Sequence, residues 1–384
     1  MDHDIDDDLR AWLRLVATPG IGRTTARLLL ARFGPPAQVL AQPRATLREA
    51  LGEALARALL DDEPEGWPAS IDAVGAWLRG DPSRHLIALD DSRFPRALLD
   101  TADPPLLLYA QGRLDLLDAP SIAIVGSRHP TPQGLDHARA FARALGSSGW
   151  TIVSGLAIGI DGAAHEGALE TPSTTIAVVG TGVDRIYPAR HEQLARRIAD
   201  RGLLLSELPL GTAPLPENFP QRNRIIAGLT RGTLVVEAAA PSGSLITARL
   251  ANECGREVFA IPGSIHSPQS RGCHVLIKQG AKLVETAQDV LDELRGSWSG
   301  GGADSGRGTG GAVDAAGSID AGPALAPRDA VIVDAMGFDP VDLDAILDRT
   351  GLDTATAQAR LLDLELEGHV QRLPGGRFQR RTRA

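Results

Sequence analysis

The chain has 384 residues, 43% of them hydrophobic and 23% charged, with a formal net charge of −9; this excludes disordered and fibrous classes and leaves room for two or three globular domains. No apolar run approaches the roughly 20 residues needed to cross a bilayer, and the acidic start MDHDIDDD is the opposite of a signal peptide. Two cysteines without metal-ligand spacing, Cys254 and Cys273, point to a cytoplasmic protein with neither disulfides nor membrane insertion.

Residues 1–85 are expected to form an N-terminal helical domain. Its centre, TPGIGRTTARLLLARFG, has the form of a helix, a tight Pro-Gly-x-Gly hairpin and a second helix from about Thr24. Gly20 and Gly22 permit the backbone angles of such a hairpin, and Ala26 and Leu29 are its packing positions. The pattern is that of a helix-hairpin-helix element, which either presents free amides to a phosphate or serves packing alone. Its surroundings are acidic: residues 1–120 hold 13 Lys+Arg against 19 Asp+Glu.

Residues 86–295 are expected to form an extended Rossmann-like domain, in which apolar strands alternate with amphipathic helices from Ser121 to about Glu293. The strands read SIAIVGS, TIVSGLA, TIAVVGTG, LLLSELP, GTLVVEA, EVFAIPG and KLVE. Such near-continuous apolar runs fit strands buried on both faces of a mostly parallel sheet, so the fold class is α/β and Rossmann-like. Gly, Ser or Pro closes almost every strand, placing permissive backbone along the carboxyl edge where open α/β sheets bind ligands. Residues 121–295 are also the least acidic part, with 17 Lys+Arg against 16 Asp+Glu.

Four turns on that edge carry candidate binding residues. VGSR (125–128) supplies Ser127 and Arg128, and SGLAIGIDGAAH (154–165) supplies Ser154, Gly155 and Gly159, with Asp161 expected to cap the next helix. VGTGVDRIYPAR (179–190) ends on Arg190, and PSGSLITAR (241–249) opens a helix with Ser242, Gly243 and Ser244. Backbone amides of such turns, gathered at one sheet edge, make a surface for phosphates.

FPQRNRIIAGL (219–229) is the most informative stretch. Its apolar run reads as a buried helix, so the polar first turn sits where the core meets a cleft. Helix amides and the guanidinium forks of Arg222 and Arg224 suit phosphate, Asn223 adds a hydrogen-bonding group, and Phe219 offers a face for a base. A capped helix with solvated arginines has the same signature.

The usual cofactor patterns are missing, so no cofactor is expected. At the sheet edge GxGxxG fails because Arg185 follows Gly180 and Gly182, and neither a P-loop nor GxSxG occurs. Asp161 and His165 stand four apart without a third ligand, and read as a cap and a hydrogen-bonded histidine rather than a metal pair. Glu207 and Glu237 end strands and are expected to orient arginines or cap helices. The alternative is a phosphoribohydrolase-type nucleotide enzyme, with one of these glutamates as catalytic carboxylate and Arg224 as phosphate clamp.

Residues 296–328, rich in Gly, Ala, Ser and Asp, read as a flexible linker. Residues 329–384 read as a winged helix: helix, turn, a second helix capped by Asp353 or Thr354, then a hairpin turning at Pro374-Gly375-Gly376. Its second helix is acidic (Asp363, Glu365, Glu367), unlike a major-groove reader. The cations lie in wing and tail, at Arg372, Arg377, Arg380, Arg381 and Arg383. Contact with protein and contact with DNA both fit.

SRFPRALLDTADPPLLLYAQG (92–112), VGSR, SGLAIGIDGAAH, GTGVDRIYP, LLSELP, FPQRNRIIAGL, PSGSLITARLA and GREVFAIPG, in this order, closely resemble the DNA-processing DprA (Smf) family. The resemblance is dense over residues 90–295 and looser in the helix-hairpin-helix and winged-helix regions. It implies a non-enzymatic homodimer that binds and shields single-stranded DNA entering in natural transformation and loads the RecA recombinase onto it. It further implies a positively charged pocket in the Rossmann-like domain. There Arg128 would clamp phosphate and Phe219 would stack a base. Arg222, Asn223 and Arg224 would be their neighbours, and Arg190 a further cation.

Overall fold

The structure, a computed structural model, describes residues 5–240, 242–296, 327–337 and 340–381. Six helices open the chain: Asp7–Ala17, Arg23–Phe33, Pro36–Leu40, Arg44–Leu51, Glu53–Leu60 and Trp67–Arg79. The first is capped by Asp6, whose side chain accepts from the Leu9 amide at 2.7 Å. The expected hairpin follows. Gly20 has φ +83°, and a Cβ there would press on Leu55, whereas Gly22 is an ordinary cap at φ −79°, so only Gly20 needs to be glycine. Ala26 and Leu29 are buried as expected. The core built from Trp12, Leu15, Leu47 and Trp77 runs without a break into Leu107, Tyr109 and Val179 on one face of the sheet.

That sheet has nine strands: β1 (Arg84–Ala88), β2 (Leu107–Gly112), β3 (Ser121–Val125), β4 (Thr151–Ser154), β5 (Thr175–Val178), β6 (Leu203–Ser206), β7 (Gly232–Val235), β8 (Glu257–Ala260) and β9 (Lys282–Leu283). Their order is β1-β2-β6-β5-β4-β3-β7-β8-β9. From β6 to β9 every pairing is parallel, and all seven expected strands are there. β1 and β2 were not foreseen; they pair antiparallel with each other and with β6, and β1 begins just before the boundary expected at residue 85.

Apolar side chains cover both faces. Val125, Ile176, Leu205 and Ile225 lie in one layer, and Ile124, Ile152, Phe141 and Leu234 in the other. The chain winds outward in both directions from β3, which has β4 on one side and β7 on the other. At such a reversal the connections leave on opposite sides and open a crevice beyond the strand ends.

Beyond the sheet come helices Pro327–Met336, Leu343–Thr350 and Thr354–Leu366 with strands β10 (Val341–Asp342), β11 (Val370–Leu373) and β12 (Arg377–Arg380). This is the expected winged helix, with one further helix, Pro327–Met336, in front of it. Asp353 is the cap, accepting from the Thr356 amide at 3.0 Å, and the wing closes through Gly375 and Gly376, both at positive φ. The expected linker falls almost wholly outside the described residues, as does Arg383. No helix among the described residues is long and apolar enough to cross a membrane.

Candidate nucleic-acid interface

β3 ends at Val125 in a turn that only glycine can begin. A Cβ on Gly126 would lie 2.7 Å from Ile160 and 2.8 Å from the Glu237 carbonyl. The Ser127 amide donates to that carbonyl at 2.7 Å, and its hydroxyl accepts from the His129 amide at 3.0 Å. Ser127 is thus pinned down and Arg128 is turned out to solvent. Its guanidinium lies 5.7 Å from the centre of the Phe219 ring, within cation–π range.

The turn after β4 is held from four sides. The Asp161 carboxylate accepts from the amides of Gly155 at 3.1 Å and Ala157 at 3.4 Å. Leu156 has φ +57°, costly for leucine, and both its polar groups are fixed: its amide donates to His165 Nε2 at 3.2 Å, and its carbonyl accepts from His191 Nδ1 at 2.9 Å. Burial pushes the His165 pKa down to about 3, so the ring is neutral and accepts through Nε2. Its Nδ1–H therefore faces the Thr175 hydroxyl at 2.8 Å, which donates on to the Ile152 carbonyl.

The fourth support is Arg222, 6% exposed. Its Nη1 donates to the Gly155 carbonyl at 2.6 Å and to the Val178 carbonyl, and its Nε donates to Asn223 Oδ1 at 3.2 Å. Burial lowers its pKa to about 10 while the Asp161 charge opposes the fall, so it remains a cation at neutral pH. For Asp161 burial pushes the carboxyl upward, against the pull of Arg222. A buried cation beneath an open crevice is a fixed positive potential that needs no reorganisation on binding.

Helix Asn218–Leu229 delivers Phe219, Arg222 and Asn223 to the crevice, and helix Gly243–Glu253 delivers Ser242, Gly243 and Ser244. The Ser242 and Ser244 hydroxyls are 2.8 Å apart, and Asn223 Nδ2 donates to the Gly243 carbonyl at 3.4 Å, tying the two helix starts together. Nothing lies within 4 Å of a Cβ placed on Gly243, so the ligand side is open there. Together with Ser127, Arg128, Asp161 and Tyr187 these residues line a cavity of about 580 Å³ at the β3/β7 reversal.

Eight of the thirteen expected residues line this cavity: Ser127, Arg128, Phe219, Arg222, Asn223, Ser242, Gly243 and Ser244. The others stand outside it. The Ser154 hydroxyl donates to the Ile124 carbonyl at 2.6 Å and locks β4 to β3. Gly155 lies against the Arg222 guanidinium, and Gly159, at φ +87°, passes under the Ser127 carbonyl where a Cβ would be 2.3 Å away. Both are scaffold that shapes the crevice. Arg190 is exposed in the short turn Ala189–His191, beside the cavity rather than in it. Arg224 points elsewhere: it is paired with Glu207 and with Asp103, whose carboxylate also takes Arg23 at 2.9 Å and Arg27.

Asp161 is not the helix cap expected of it. It lies inside helix Ile160–Ala168, with Gly159 at the cap, and holds the preceding loop instead. The two glutamates behave as expected. Glu207 orients Arg224, and Glu237 accepts from the amide and hydroxyl of Thr131, the cap of helix Pro132–Ser147. Neither glutamate nor Arg224 lines the cavity, so the residues named for the enzyme alternative do not meet there. Sequence reasoning missed Tyr187, whose ring lies 5.7 Å from Phe219 at 46°. The only signal for it was an aromatic residue in the turn following a strand.

Residues 85–295 match the family model for DNA recombination-mediator protein A, and residues 318–376 match the winged helix domain of DprA. Protein Smf of Escherichia coli (strain K12) is 41% identical over 310 residues, 80% of each chain. The X-ray structure of DNA processing protein A from Streptococcus pneumoniae aligns with a TM-score of 0.55 at 42% identity, covering 65% of this chain and 90% of that one. DNA processing protein A from Helicobacter pylori, whose structure is described for its single-stranded DNA binding mode, aligns with a TM-score of 0.51 at 33% identity, covering 56% of this chain and 97% of that one. The chain belongs to the DNA recombination-mediator protein A (DprA) family.

Proposed function

We propose that the protein binds single-stranded DNA without reading its sequence, in the crevice at the β3/β7 reversal; the Helicobacter pylori relative is described for its single-stranded DNA binding mode. One observation carries the reading: buried Arg222, exposed Arg128 and the aromatic pair Tyr187 and Phe219 meet in one open cavity. Cations hold the phosphates and rings hold a base, and neither kind of contact distinguishes one base from another. The reading is one of binding rather than catalysis, and the engagement of both strand-end glutamates with Arg224 and Thr131 supports it.

We infer further, from family membership, that the protein shields incoming DNA in natural transformation, loads RecA onto it in the cytoplasm, and works as a homodimer. In this scheme residues 86–295 form the DNA-binding unit, flanked by the helical unit and the winged helix. The test is fluorescence anisotropy of a labelled oligothymidine with the full chain, over a salt series and against duplex competitor. Binding should weaken steeply as salt rises, by a slope of about −0.7 per phosphate neutralised, and duplex of equal length should compete poorly. Absence of oligothymidine binding at low salt would overturn the reading.

A further inference from the structure

Phe219 is the ring that the sequence brings forward, yet it is the less available of the two. It is half-buried; a Cβ on Gly180 would come within 2.9 Å of its ring edge, so backbone closes that side. The Arg128 guanidinium lies 5.7 Å from its centre, and the Tyr187 ring leans against it at 5.7 Å. Three neighbours thus surround Phe219. Tyr187 lines the same cavity and is 49% exposed.

The segment carrying Tyr187 is held at both ends. On one side the Thr181 hydroxyl donates to the Arg185 carbonyl at 2.5 Å, and the Arg185 amide donates to the Gly182 carbonyl at 2.9 Å. On the other, His191 Nδ1–H donates to the Leu156 carbonyl at 2.9 Å, binding the segment to the locked turn after β4. An open ring on an arch anchored at both ends loses little freedom when a base covers it. A tyrosine suits that place, with an apolar face for the base and a hydroxyl left in water.

We propose that Tyr187 is the platform on which a nucleobase stacks, and that Phe219 is a positioning residue that supports Tyr187 from the side and Arg128 from beneath. This rests on the single-stranded DNA reading and makes it specific. A base on Tyr187 lies next to the guanidinium held over Phe219, so base and phosphate are gripped by one contiguous set of three side chains.

The experiment uses the full chain as wild type and as Tyr187→Leu, Tyr187→Phe and Phe219→Leu, with three probes: an oligothymidine, an abasic strand of the same length, and an oligonucleotide carrying 2-aminopurine, whose fluorescence falls on stacking. Tyr187→Leu should bind oligothymidine about 5- to 150-fold more weakly, fail to quench 2-aminopurine, and bind the abasic strand as wild type does. Tyr187→Phe should retain both affinity and quenching. Phe219→Leu keeps an apolar support, so it should weaken both strands alike, through Arg128, and still quench. The proposal is overturned if Tyr187→Leu quenches as wild type does, or if Phe219→Leu alone abolishes quenching. Failure of the wild type to bind either strand overturns the functional reading and this proposal together, whereas wild-type binding with a silent Tyr187 overturns this proposal only.

Discussion

Arg222 and Arg224 stand two residues apart on one helix and lead opposite lives. Residues at that spacing do not share a face, so one enters the crevice and the other turns to the junction with the N-terminal helices. Among the described residues lining the crevice with Arg222 and Arg128, the one carboxylate is Asp161, which accepts from loop amides. At the junction, Arg224, Arg23 and Arg27 meet Asp103 and Glu207 in direct ion pairs. The first set keeps positive potential for an external anion; the second is largely neutralised within the protein. Residue type is the same in both. What separates them is the carboxylates that other parts of the fold bring alongside.

The largest expected effect tests the buried member of the first set. Arg222→Ala removes the donor to two buried carbonyls and leaves Asp161 without its nearest cation. Loss of one partner from such a buried arrangement costs about 3–5 kcal/mol, which urea unfolding would read, and DNA binding should go with it. A stability change below about 1 kcal/mol would show that water replaces the guanidinium freely. Next comes Arg224→Ala, which leaves Glu207 poorly paired and should cost about 1–3 kcal/mol of stability while oligothymidine affinity stays within about twofold of wild type. A selective loss of affinity in this variant would return Arg224 to the DNA site and erase the contrast between the two clusters.

Arg128→Ala should do the reverse. The side chain is exposed and rests over the Phe219 ring, so the unfolding midpoint should not move. Affinity should fall about tenfold, in the range of a charge-assisted hydrogen bond, and the salt slope should flatten by about 0.7. An unchanged slope would mean that Arg128 meets no phosphate.

Most of the architecture was legible because burial on both faces makes a strand nearly all apolar, and β3 to β8 announce themselves that way. β2 has an apolar stretch too, but its strand character depends on pairing with β6, nearly a hundred residues later, which no local pattern encodes. β1 begins Arg84-His85 and gains its place only from β2. In the site, glycine- and serine-bearing turns marked the correct sheet edge. Which of them face the ligand was not legible, because Ser154, Gly155 and Gly159 are claimed by the Ile124 carbonyl, Arg222 and Ser127 from distant elements. Tyr187 escaped for the same reason: the bond that fixes its segment spans 35 residues, from His191 to Leu156.

The smallest expected effect probes the neutralised cluster through pH. Burial tends to raise the Asp103 carboxyl, but the hydrogen bond from Arg27 and the charges of Arg224 and Arg23 outweigh it, so its pKa lies below the ordinary value. A carboxylate with a depressed folded-state pKa contributes stability above the unfolded value, about 3.9, and loses that contribution as pH falls through the folded value. Asp103 is one-third exposed, which keeps the contribution under about 1 kcal/mol. Asp103→Asn should therefore melt slightly below wild type at about pH 6, and the gap should close as pH falls below about 4. In the crevice no such closing is expected, since Arg128→Ala removes no carboxylate contact on which folding relies. A gap for Asp103→Asn that persists undiminished at about pH 2.5 would mean that packing, not charge, ties this junction together, and that the two arginine clusters differ in geometry but not in neutralisation.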